Sequence, residues 1–198
     1  MRRPLACPAP PLRAFTLVEL LVVIGVISVL LLLLFPVYSS IRSSQKVKRT
    51  EAAVGALTSA AAAYESDYGL YPPAAFAPAG PNRGNRSLVA LLDARGKPGW
   101  PYVPTAFLDD DGNIEGGLLL DEWGRPFIYF DTSAMTEKTV HPYDIAGDPM
   151  VRPAQGPDGF YNFSLCQLWS CGPNGRNDGG RNLHTEQADD LANFKVED

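Results

Sequence analysis

The chain is poor in the residues that carry chemistry. Among 198 residues there are two histidines and three cysteines, and no G-x-S-x-G, H-E-x-x-H, P-loop or Cys-x-x-Cys pattern occurs. His141 and His184 stand alone in proline-flanked or polar segments, which reads as a surface or structural role. The expectation is a protein that is not an enzyme. Positive charge is also scarce, with 17 Lys and Arg against 22 Asp and Glu and a net charge of −5. A phosphate-binding surface needs a basic excess or at least a basic face, so nucleic acid is not an expected partner. Internal repeats and low-complexity linkers are absent as well.

What the chain does have is one long apolar run. Residues 17–35 form a stretch of nineteen whose only ionisable member is Glu19, close to the roughly 20 residues an α-helix needs to cross a bilayer core. A cleaved secretory signal has a shorter apolar region and a small-residue cut site after it, whereas this run ends in FPVYSSIRSSQKVKR. The reading is a retained membrane helix in contact with lipid. Arg2, Arg3 and Arg13 before it and Arg42, Lys46, Lys48 and Arg49 after it leave its orientation undecided by charge. Glu19 is the anomaly, because a carboxylate among leucines and valines costs free energy unless it snorkels to the interface or finds a partner.

Beyond the run, Val47, Val54, Leu57, Ala61, Tyr64 and Tyr68 recur at helical spacing, so one helix is predicted over roughly 15–68. Pro36 lies where it kinks that helix without ending it, and Gly69 with Tyr71-Pro72-Pro73 supplies the stop. Residues 69–117 read as a variable loop with a short helical piece at 87–92, capped by Ser87. In that insert, Trp100, Tyr102 and Phe107 are candidates for a binding surface. The acidic run Asp109, Asp110, Asp111 reads as an exposed turn. Strands are expected after a turn at 122–126, in Phe127-Ile128-Tyr129-Phe130, and along the alternating residues 160–169. The fold class is therefore α+β, a long N-terminal helix packed on a small antiparallel sheet with a C-terminal loop. Its parts are a leader (1–14), a transmembrane and polymerisation helix (15–36) and a soluble globular domain (37–198). Cys166 and Cys171 in an exported body form either a disulfide or two free thiols, and bridging them requires a turn between.

FTLVELLVV after a short basic leader resembles the class III signal of type IV pilins and of the pseudopilins of type II secretion. The resemblance implies that a prepilin peptidase cuts between Ala14 and Phe15, that Phe15 is then N-methylated, and that Glu19 is the fifth mature residue. The new amine of one subunit would pair with Glu19 of its neighbour and set the register of a filament. Pro36, twenty-second from Phe15, matches the family's kinking proline, while Ala14 departs from the glycine usual before the cut. YESDYGLYP and LLLDEWGRPFIYF are similar to the family's end-of-helix segment and to its turn entering the sheet.

The C-terminal segment LWSCGPNGRNDGGRNLHTEQADDLANF is rich in oxygen donors among glycines, which suits calcium. Its order resembles the calcium-binding end of the type II secretion major pseudopilin. That resemblance implies Asp189 and Asp190 as side-chain ligands, Asn174 and Asp178 nearby, and backbone oxygens from Trp169 and Ser170. Together these likenesses imply an inner-membrane, single-pass protein with a periplasmic domain, assembled with copies of itself and other pseudopilins by an inner-membrane platform. Two other readings remain open: a type IV pilin for adhesion, motility or DNA uptake, and a single-span anchored binding domain that never polymerises.

Overall fold

A computed structural model describes residues 16–93, 102–108, 114–145, 149–185 and 188–196, with side chains of 32–41, 115 and 182–188 left out. Ala14, Phe15, Trp100 and the acidic run 109–111 lie outside the described residues. The chain divides into two units, Met1–Arg42 and Ser43–Asp198.

Helix α1 (Leu17–Tyr68) is 52 residues long and continues through Pro36. Its start is a capping box. The Thr16 backbone N–H and hydroxyl donate to Glu19 Oε2 at 2.9 and 2.8 Å, and the Glu19 N–H returns a bond to Thr16 Oγ1 at 3.2 Å. That arrangement satisfies free donors of the first turn and puts a carboxylate at the positive end of the helix. Every residue over 17–31 is exposed. Among the described residues no helix is long and apolar enough to cross a membrane. Residues 17–31 span about 22 Å at 1.5 Å per residue, and the apolar run continues in the sequence to Phe35.

In the second unit the same helix turns amphipathic. Val54, Leu57, Ala60, Ala61 and Tyr64 are buried, Val47 is half-buried and Tyr68 is exposed. Gly69 ends the helix in the left-handed conformation (φ 74°), its N–H donating to the Glu65 carbonyl at 2.7 Å.

The segment expected to be loop holds helix α2 (Arg83–Leu92), four residues longer at its start than the sequence suggested. Ser87 is not its cap. Asn82 takes that place in a left-handed conformation (φ 57°), and the Ser87 hydroxyl is buried inside the helix, accepting from the Ala77 N–H and donating to the Ala74 carbonyl, both at 2.8 Å. Three further contacts make α2 part of the core. Asn85, fully buried, donates to the carbonyls of Leu119 and Phe127 and accepts from the Leu119 N–H. Leu88 and Leu92 point into the apolar cluster. Gly84 lies so close to the following sheet that a Cβ there would stand 2.5 Å from the Tyr143 hydroxyl and collide with the Tyr129 carbonyl.

Strands follow as β1 (Ile128–Asp131), β2 (His141–Pro142), β3 (Met150–Val151), β4 (Gln155–Gly156), β5 (Gly159–Phe160), β6 (Cys166–Ser170), β7 (Asn182–Thr185), β8 (Ala188–Asp189) and β9 (Leu191–Ala192). β1, β6 and β9 form an antiparallel sheet with Ile128 opposite Trp169 and Ser170 opposite Leu191. The remaining strands make three two-stranded hairpins. Every residue of β1 and β6 is buried, so this sheet is covered on both faces.

The alternating stretch 160–169 is not one strand. Asn162 adopts a left-handed conformation (φ 53°), and its amide donates to the Cys166 carbonyl at 2.7 Å, which folds the chain between β5 and β6. The disulfide alternative is also corrected: Cys166 and Cys171 are free and buried. Cys166 opens the extended β6 and Cys171 follows its last residue, and five residue steps at about 3.3 Å each put their Cα atoms about 16 Å apart, far beyond bridging range. Burial pushes the Cys166 thiol up to about 12 and the Cys171 thiol higher still, so both stay protonated.

Candidate metal centre in the C-terminal loop

Pairing of β6 with β9 fixes where the loop between them starts and ends. With Ser170 opposite Leu191, residues 171–174 leave the sheet beside residues 189–190 as they return. Gly172 permits the close approach: its φ is 54°, and a Cβ there would stand 2.7 Å from Asp189 Oδ1 and collide with the Asp189 carbonyl. The β7–β8 hairpin, with Asn182 opposite Asp189, closes the other side.

This path gathers three carboxylates. Asp178, Asp189 and Asp190 each present an oxygen, and the three oxygens lie within 4.8 Å of one another. Backbone donors hold one oxygen of two of these carboxylates. Asp190 Oδ2 accepts from the N–H groups of Asp178 (2.9 Å) and Gly180 (2.8 Å), and Asp189 Oδ2 accepts from the Asn174 N–H (3.0 Å). The other oxygens, Asp189 Oδ1 and Asp190 Oδ1, are buried with no hydrogen-bond partner. An unpaired buried acceptor costs about 1–3 kcal/mol, and more when charged.

Electrostatics sharpen the point. Carboxylate oxygens within 4.8 Å of one another repel, when both groups are ionised, by about 3 kcal/mol or more at an effective dielectric constant of about 20. Burial, followed by the proximity of Asp178 and Asp189, pushes Asp190 up to about 8 against the pull of its two N–H donors. Burial also raises Asp189, partly offset by the Asn174 N–H and the Arg125 guanidinium. Such a cluster needs either protons or a cation. All donors are hard oxygens and two point inward unpaired, which fits a divalent cation of the calcium and magnesium class. Asp178, Asp189 and Asp190 would hold it, and it would supply charge neutralisation that ties the two ends of the loop together.

The structure sorts the sequence-predicted ligands. Asp178, Asp189 and Asp190 come together. Asn174 instead orients the group, donating from Nδ2 to Asp178 Oδ2 at 3.0 Å while its Oδ1 accepts from the Arg176 N–H at 2.6 Å. The backbone of Trp169 and Ser170, expected to lend oxygens, lies in β6 paired with Ala192 and Leu191, and the Ser170 hydroxyl donates to Asp121 Oδ2 at 2.6 Å. Trp169 is buried beneath the loop, with its indole N–H on Asn177 Oδ1 at 3.1 Å.

Two residues that follow the Asp-Asp pair in the C-terminal segment support the site through contacts the sequence did not show. Asn193 clamps the strand end, exchanging bonds with both Leu168 backbone groups and donating to the Cys166 carbonyl. Phe194 sets its ring edge-on to Trp169 at 5.9 Å. Away from the loop, His141 is buried and stacked on Phe130 with ring centroids 5.0 Å apart, and burial lowers its pKa. It serves as a core aromatic on β2 rather than as a surface residue. No protein-family model matches the chain, and no curated protein and no solved structure matches it either.

Proposed function

We propose that the protein is a pilin-like subunit, the major pseudopilin of a type II secretion system, which works by polymerising rather than by catalysis. The observation that carries this reading is α1 itself: a 52-residue helix whose first fifteen positions expose apolar side chains and whose later turns bury an amphipathic stripe. Exposed leucines and valines on that scale need lipid or other helices around them. The likeness of residues 13–36 to the class III signal supplies the order of events. Prepilin peptidase cuts between Ala14 and Phe15, the new amine is methylated, and the inner-membrane platform draws the helix into a periplasmic filament with its own copies and other pseudopilins.

Glu19 has a distinct part in each state. In the chain before assembly the Thr16 capping box answers its carboxylate. In the filament the Phe15 amine of a neighbouring subunit takes over, and a subunit out of register leaves both charges buried and unpaired. The C-terminal triad binds calcium and stiffens the surface that neighbours meet.

Glu19→Ala tests the assembly step. The variant should insert, be cleaved and fold normally, while pelletable filaments in cells fall to a small fraction of the wild-type amount. Filaments at the wild-type level would remove the charge pairing from the account.

A further inference from the structure

The triad is built on a network that begins on another part of the chain. Residues 121–125 form a closed turn, in which the Asp121 N–H donates to the Arg125 carbonyl at 2.8 Å and Asp121 Oδ1 accepts from the N–H groups of Trp123 and Arg125, both at 2.9 Å. The second oxygen of Asp121 takes the Ser170 hydroxyl at 2.6 Å, and Ser170 Oγ in turn accepts from the Gly172 N–H at 3.1 Å. Asp121, Ser170 and Gly172 are all buried. From the same turn the Arg125 guanidinium donates to the Gly172 carbonyl and, at 3.4 Å, to the Pro173 carbonyl. It also packs under Gly175, where a Cβ would stand 2.6 Å from Arg125 Cζ. Gly172 is thus gripped at its N–H and at its carbonyl, and it is the residue against which Asp189 packs.

We propose that Asp121 and Arg125 are positioning residues for the cation site, holding residues 171–175 in the ion-ready arrangement through the grip on Gly172. This inference rests on reading the triad as a cation site. A guanidinium whose charge reaches Asp189 has two opposed effects, since that charge repels an incoming cation while its fork fixes the loop. The donors of Arg125 go to carbonyls, so the fork dominates and its loss weakens the ion. Outer-shell partners of this kind are worth about 10–100-fold in metal affinity.

The test is calcium titration of the full chain in detergent micelles by calorimetry, with wild type, Arg125→Ala, Arg125→Lys and Ser170→Ala, together with thermal melts in chelator. Arg125→Ala should bind calcium about tenfold or more weakly, and Arg125→Lys, which keeps the charge but not the fork, should fall between it and wild type. Ser170→Ala, which cuts the link from Asp121, should weaken calcium in the same direction. In chelator the two Arg125 variants should melt near the wild-type temperature, whereas Ser170→Ala should melt lower, because it leaves Asp121 Oδ2 and the Gly172 N–H buried without their partner. Affinity in Arg125→Ala that is unchanged or tighter overturns the positioning role, as does a loss of that variant's stability in chelator equal to that in calcium. A wild-type chain that takes no calcium overturns the cation reading of the triad and this inference with it, a result distinct from either of those.

Discussion

The start of α1 and the C-terminal loop are incomplete in opposite ways. Residues 17–31 show water a largely apolar surface whose one charge, on Glu19, a neighbouring threonine answers. The loop buries two carboxylate oxygens with nothing against them. Each departs from what a chain complete by itself would do, because exposed apolar area and unpaired buried charge both cost free energy. The difference lies in what would complete them: an extended apolar face calls for lipid or other helices, whereas a pocket of inward oxygens calls for one small cation. The body between them is conventional, with a buried sheet, α2 over β1, and polar side chains such as Asn85 fully bonded.

The loop half of that contrast is the easier to break. Calcium at a hundred times its dissociation constant adds about 2.7 kcal/mol, which in a domain of this size raises the melting temperature by about 5–10 °C. Asp190→Asn should abolish the calcium-induced rise while leaving the ion-free protein as stable as wild type or more so, since it removes a carboxyl that must hold a proton when the ion is absent. Thermal melts with calcium and with chelator read both. An equal rise in the variant would take Asp190 out of the site.

A second effect follows from pH. In the ion-free chain Asp190 is held at about 8 against a usual value of 3.8. Between those values the folded chain keeps a proton that the unfolded chain has released. Stability should therefore fall as pH rises from about 4 to about 8, and calcium, by replacing the proton, should flatten that slope. Denaturant midpoints at four or five pH values, with and without calcium, measure it. A flat ion-free profile would mean that Asp190 is not strained in solution.

How much of this was legible depended on whether the signal was local. The long helix and its stop at Gly69 follow from spacing and a left-handed glycine. The turn after Leu120 follows from Glu122-Trp123-Gly124, and Gly124 does take a positive φ of 77°. The Asp-Asp pair was visible as chemistry. By contrast, the first four residues of α2 were hidden because its start carries Asn82, Asn85 and Ser87, residues that favour loops, whose bonds go to partners far along the chain. The break at Asn162 was hidden by an alternation that suits a strand. Arg125 gave no signal at all, since its role depends on the pairing of β6 with β1 and on a turn 47 residues from the carbonyl it holds.

The central claim is that the exposed apolar helix belongs to a processed, polymerising subunit. Mass spectrometry of the protein isolated from membranes of its own host tests this most directly. The account predicts a chain beginning at N-methylated Phe15, with residues 1–14 gone. An intact Met1, or a cut elsewhere, would contradict it and favour a membrane-anchored domain that does not assemble.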